Sequence, residues 1–193
     1  MKLRIAWIAC FFLATLGVAR AATVTVVTFG STAPACAPAS DPTLPLPTCS
    51  RNTAFNAHAY SWGAANPQLI STPRTNPAVS LSDLNIQKNL DGTSAPLLMS
   101  MLNGTVIPQM RIAVYSTDTA VPALTATPRY ELLLNNVYVT SIQASDAAGT
   151  GRPTESVSVT FESIKVQVTT FAPDGTVAFT NFVSYNQLTQ AVL

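Results

Sequence analysis

Few side chains in this sequence could do chemistry, and their spacing narrows them further. A serine hydrolase needs a histidine to take the serine proton. The chain holds one, His58, near Tyr60, with no nucleophile-elbow motif around any serine. His58 therefore reads as a packed or exposed strand residue. A glycosidase needs two carboxylates facing each other across a cleft. Glu155 and Glu162 are close in sequence, but they fall at the mouth and the bend of one strand-like segment, too far apart for that work. Asn103-Gly104-Thr105 spells a glycosylation sequon, yet a helix stop explains it better. No glycine-rich phosphate cradle precedes a helix, and no cluster of histidine, cysteine and carboxylate has ligand spacing. The residues point to a non-enzymatic chain without cofactor or metal, and a secreted hydrolase is the weakest functional class.

The cysteines carry a different chemistry. Cys10 lies in the apolar start of the chain, which leaves Cys36 and Cys49. Both sit in Ser31–Ser50, a segment with prolines at 34, 38, 42, 45 and 47 and little helix or strand character. An even count in an exported chain reads as a disulfide. Closing a loop of this length stabilises by about 3 kcal/mol in the chain-entropy model. The alternatives are two unrelated thiols or a metal pair, and a lone histidine is too little for a zinc site with two sulfurs.

Export is read from the first residues. Lys2 and Arg4 form a basic start, Ile5 to Val18 is apolar, and Ala19-Arg20-Ala21 has the small-x-small pattern of a cleavage site. The apolar run is shorter than the roughly twenty residues that span a bilayer. Residues 1–21 are expected to be a signal peptide, and residues 22–193 one periplasmic or extracellular domain with a Pro-rich, disulfide-closed loop at about 30–54. Removing Lys2, Arg4 and Arg20 leaves seven basic against nine acidic residues, a net charge of −2. Only Lys88 and Lys165 remain as lysines, and no basic run exists, so nucleic-acid binding has no electrostatic footprint. No later segment is long and apolar enough to span a membrane as a helix.

Mostly strands must position these residues. Thr23–Phe29, Phe55–Trp62, Leu81–Leu90, Met110–Val114 and Val177–Tyr185 read as strands, with loops at Asn66–Pro77 and Thr117–Pro128. Thr93 or Ser94 is expected to cap one helix, Pro96 falls in its first turn, and Asn103-Gly104 ends it. Leu97, Leu98, Met101 and Leu102 would form its apolar stripe. The most telling stretch is Tyr130–Thr169. Tyr130, Leu132 and Leu134 share one face, the phase slips at Asn135-Asn136, and Val137 and Val139 continue it. Val157, Val159 and Phe161 alternate, slip across Glu162-Ser163, and resume as Ile164, Val166 and Val168. A one-residue slip in a period of two marks a bulge or bend. Two neighbouring segments that slip near their middles read as a long hairpin bent at one place, which is how a sheet curls into a barrel. The fold class is mainly β, an antiparallel β-barrel with one flanking α-helix.

The words of that hairpin resemble a known family. Gly151-Arg152-Pro153-Thr154-Glu155-Ser156-Val157-Ser158-Val159-Thr160-Phe161, with Ile164-Lys165-Val166, is similar to the signature of the Hcp proteins of bacterial type VI secretion. Tyr130 to Val139, Tyr60-Ser61-Trp62-Gly63, Val79 to Leu84 and Ala95 to Gly104 resemble that family in the same order, over roughly residues 55 to 185. The resemblance implies a barrel with a helix on its side and no catalytic set. It also implies a homo-oligomer, a hexameric ring built from one head-to-tail interface and stacked into a tube that delivers effectors with other secretion components. Arg152 and Glu155, at the end of the Gly-rich connection, become candidate protomer contacts; alternatively they satisfy local backbone and charge. Two features depart from the family: the cleavable start, and the Pro-rich segment with Cys36 and Cys49 between the first two strands. They leave a second reading open, a secreted binding module or adhesin that has kept only the barrel.

Overall fold

The valine- and isoleucine-rich segments with a period of two become strands, and the uncharged leucine-rich segment becomes the helix. The computed structural model describes residues 23–30, 53–66, 79–116, 127–146 and 151–193. Along them the order is β1 (Thr23–Gly30), β2 (Ala54–Ser61), β3 (Ala64–Ala65), β4 (Ser80–Leu81), β5 (Leu84–Asn89), α1 (Ser94–Asn103), β6 (Ile107–Ser116), β7 (Tyr130–Ser145), β8 (Thr154–Phe171), β9 (Val177–Asn186) and β10 (Ala191–Val192). The expected signal peptide, Cys36, Cys49 with their loop, and the Asn66–Pro77 loop beyond Asn66 lie outside the described residues, as does most of the Thr117–Pro128 loop.

Six antiparallel strands close a barrel in the order β8-β5-β2-β1-β6-β7, with β7 returning to pair with β8. The barrel is filled by side chains: Val27, Phe55, Leu84, Ile86, Met110, Ile112, Leu132, Leu134, Val157 and Val159 form its core. The β7–β8 hairpin bends where the phases slip. Leu134 and Val137 are both buried, as are Phe161 and Ile164, while the pairs Asn135↔Ser163 and Val137↔Phe161 hold one register across the slip. Both strands therefore turn together. Asn136 adopts φ 49°, a left-handed conformation that asparagine tolerates better than most residues. Its Nδ2 donates to Glu162 Oε2 at 2.6 Å, tying the two slips to each other. A second irregularity follows between Val139 and Ser141, where Thr140 Oγ1 donates to Asp83 Oδ2 at 3.0 Å. Ile142, out of phase with Val137 and Val139 yet packed on the core, is its mark in the sequence.

Strand β8 has two successive partners on the edge away from β7. Residues Thr154 to Val159 pair with β5, and Ser163 to Phe171 pair with β9. The bend thus separates a half of β8 that closes the barrel on β5 from a half that still pairs with β7 as far as Val168 and takes β9, then β10, on its other edge.

Two expectations need correction. The segment Leu81–Leu90 is not one strand: Ser80–Leu81 pairs with β3 in a separate two-stranded sheet, and β5 starts at Leu84. The helix stripe is also narrower than the leucines imply. Leu97 is fully buried and Met101 packs on the core, whereas Leu98 is 42% and Leu102 is 71% exposed. The helix lies on a single barrel wall, so one line of i, i+4 contacts reaches the core and the neighbouring line does not. Thr93 occupies the N-cap position, but its side chain makes no capping hydrogen bond. Its hydroxyl and N–H both donate to Asp91 Oδ1, at 2.6 and 2.8 Å. Gly104 (φ 62°) ends α1 as expected, its N–H and that of Thr105 reaching the carbonyls of Met101 and Ser100.

The narrow stripe yields a contrast. Leu97→Ala should cost about 2–5 kcal/mol in denaturant unfolding, and Leu102→Ala within about 0.5 kcal/mol. Equal losses would mean that both leucines are core residues.

Candidate functional site

The residues singled out by type meet at one end of the barrel. In β5, Leu84, Ile86 and Lys88 alternate on the inward face. Across the ladder Val159, Val157 and Glu155 stand opposite them in register. The last rung of the core is therefore an ion pair. Lys88 is 0% and Glu155 3% exposed, and Lys88 Nζ lies 2.7 Å from Glu155 Oε1. The ammonium is also 2.9 Å from Asp91 Oδ1, 2.8 Å from the Asn89 carbonyl, 3.1 Å from Ser94 Oγ and 5.0 Å from the centre of the Phe55 ring. Ser94 Oγ donates in turn to Glu155 Oε1 at 2.8 Å. A buried cation is tolerated only when paired and hydrogen-bonded, and this one draws partners from β5, β8 and the first turn of α1. Chemically the arrangement is a clamp: it ties the helix start to two barrel strands.

The sequence patterns put Arg152 and Glu155 together, and the structure separates them. Arg152 stands exposed beside Gly151 (φ 79°), while the Glu155 carboxylate turns into the clamp. Glu162 belongs to the bend, accepting from Asn136 and, at 3.2 Å, from Asn186 Nδ2. The two glutamates serve separate networks. His58 is the extra residue at the irregularity between Ala57 and Ala59 in the β2–β5 ladder. It is exposed, with Nε2 2.8 Å from Asn89 Oδ1. It lines a polar cleft of about 380 Å³ with Gln87, Gln143, Ser145, Thr154, Glu155 and Ser156. Amides and hydroxyls dominate that cleft. Among the described residues no group of three or more His, Cys, Asp and Glu could hold a metal, and no helix is long and apolar enough to cross a membrane.

Lys88 was the residue missed by type. A lysine in phase with Leu84 and Ile86, and a glutamate in phase with Val157 and Val159, were the signal. Two further polar clusters brace the barrel. Arg111 Nη2 lies 2.6 Å from Glu131 Oε2, and its Nη1 is 3.3 Å from the Tyr115 hydroxyl. Burial works against the Arg111 charge, but these partners outweigh it and hold the guanidinium above its ordinary pKa. Tyr60 stacks on Tyr130 at 6.2 Å, and Trp62 Nε1 donates to the Tyr130 hydroxyl at 3.2 Å. Burial raises the pKa of both phenols, and the neighbouring Tyr130 raises that of Tyr60 further.

Comparison with known proteins matches this geometry. A family model described as "Type VI secretion system effector, Hcp" matches residues 50–168, more than half of the chain. A solved structure described as a type six secretion system protein superposes with a TM-score of 0.69 at 15% identity, covering 89% of this chain and 100% of that one. Hcp1 from Salmonella typhimurium gives a TM-score of 0.63 at 13% identity over 89% and 99% of the two chains. The secreted protein Hcp3 from Pseudomonas aeruginosa gives 0.54 at 17% identity over 86% and 98%. At these identities the structures speak for the fold. A search of curated proteins returns no match.

Two outcomes follow. Glu155→Ala should destabilise by about 3–5 kcal/mol, because it removes the nearest carboxylate from a buried ammonium, whereas Lys88→Met combined with Glu155→Leu should recover most of that loss. A double variant as unstable as Glu155→Ala would show that the charges themselves are indispensable. For the tyrosines, the raised pKa means the folded state holds its protons more tightly. The stability they add is complete below the ordinary value of 10.0 and is lost as pH rises through the folded values. Unfolding followed across that alkaline window should show the decline, and Tyr60→Phe with Tyr130→Phe should flatten it.

Proposed function

Because this chain belongs to the Hcp family of type VI secretion system effectors, we propose that it is a non-enzymatic, ring-forming structural protein of such a system, exported or released from the cell. The observation that carries this reading is the family match over residues 50–168, which spans five of the six barrel strands, from β2 through most of β8. The clamp at the barrel end supports a scaffold role, since its charges are spent on holding β5, β8 and α1 together. The stacking of rings into a tube that carries effectors is the arrangement that fits such a protomer. A head-to-tail interface closes into a ring when the rotation per step permits. Arg152, exposed beside the 147–150 connection, is the candidate contact at a neighbouring protomer, and Glu155 acts by fixing where β8 begins.

The same proposal includes processing before Ala22 and a Cys36–Cys49 bond formed in an oxidising compartment. Both follow from residue types rather than from the fold.

One preparation tests the set. Protein recovered from the periplasm or medium should have an intact mass that begins at Ala22 and should yield linked Cys36 and Cys49 peptides without reductant. It should sediment as a closed ring, which Arg152→Ala weakens. A chain that keeps Met1 in the cytoplasm would defeat the export reading. A species that stays monomeric at high concentration would defeat the ring and leave a secreted binding module.

A further inference from the structure

The described surface concentrates its large apolar side chains in two places. Apart from Tyr138, the exposed large hydrophobes gather around α1 (Leu90, Leu98, Met99, Leu102) or around the β8–β9–β10 ribbon. Within the ribbon, Val168, Val183 and Phe179 are 45%, 51% and 61% exposed. Pairing places them on one face. Val166 stands opposite Val183 and Thr170 opposite Phe179, and these positions continue the inward phase of Ile164. This is the core face of the sheet carried past the bend: Ile164 is buried and Val166 and Tyr185 pack on the core, and farther out Val168, Val183 and Phe179 are exposed. Monomeric proteins rarely leave such a patch without a use.

The edge of the ribbon argues against another strand as the occupant. Leu193 N–H donates to the Ser184 carbonyl at 3.0 Å, so residues in the phase of Ser184, including Phe182, turn their backbone away from β8. The Phe182 N–H on that edge is taken by Asn181 Oδ1 at 2.9 Å. A side chain thus blunts the edge while the apolar face stays open. What fits is a rounded apolar surface, not an extended backbone.

The helix supplies one. Leu98 and Leu102 are one turn apart on the side of α1 that misses the core, with Met99 beside them at 61% exposure. Neither α1 (SAPLLMSMLN) nor β9 (VAFTNFVSYN) carries a charged residue, and Lys165 of β8 lies over Phe182 on the opposite face, so no like charges meet and no ammonium or carboxylate must be desolvated. A stable interface buries about 800 Å² per partner, and Phe179 with the valines beside it would contribute to that area. We propose that the exposed face of α1 in one copy packs on the uncovered β8–β9 face of the next. The contact is heterologous, using each patch once per protomer, and this repeats around a closed ring. The inference rests on the ring reading above and names the surfaces that make it.

Complementary disruption tests it. The helix variant carries Leu98→Asp and Leu102→Asp, and the ribbon variant carries Phe179→Asp and Val183→Asp; all four side chains are exposed, so each variant should keep the wild-type circular dichroism. Each alone should sediment as a monomer. Mixed in equal amounts they should form a dimer, because the intact ribbon of the first still accepts the intact helix of the second. A mixture that stays monomeric overturns the pairing, as does assembly of either variant like wild type. A wild-type ring indifferent to both sets of substitutions overturns this contact alone. A monomeric wild type overturns the ring reading and the contact together.

Discussion

The bend shared by β7 and β8 is the constraint on which the rest depends. Both strands change their buried face at the same rung, Asn136 opposite Glu162, without losing register. A slip in one strand alone would put every later side chain on the wrong face of its partner. Because the slips coincide, Val137 with Phe161 on one side of the bend and Leu134 with Ile164 on the other are all buried. On one side β8 meets β5 and the barrel closes; on the other it meets β9 and the sheet runs out of the barrel. Closure and extension are two results of one paired irregularity.

The closed part spends its charges internally. Lys88, Glu155, Asp91 and Ser94 join at the barrel end, and Arg111 with Glu131 and Tyr115 braces β6 and β7. Such pairs add little net stability compared with apolar packing, but breaking one half is costly. Their use here is geometric: the start of α1 is held where Leu97 reaches the core and the next leucine faces outward. The orientation of the helix, and hence the exposure of Leu98 and Leu102, follows from that clamp.

In the open part, α1 and β9 carry no charged residue. A protein of low charge has little electrostatic steering in association, so assembly through α1 and the ribbon would depend on shape and apolar area. That suits a building block which meets many copies of itself, where a repeated contact needs fit more than long-range attraction.

Much of this was legible in the chain. Period-two alternation, the two slips in the hairpin and the left-handed stop at Asn103-Gly104 are local patterns, and local sterics determine them. The family resemblance lay in the same words. What local pattern could not decide is which of several apolar side chains a neighbour would cover. Leu97 and Leu102 are alike as residues, and only the placement of α1 on the barrel makes one core and the other surface. Val159 and Val168 both sit on the apolar face of β8, yet the first is fully buried and the second is exposed. Glu155 read, with Arg152, as a candidate protomer contact or a local charge, and only the β5–β8 register sets Lys88 across from it. Burial depends on contacts distant in sequence, so it is settled only when the sheet has closed.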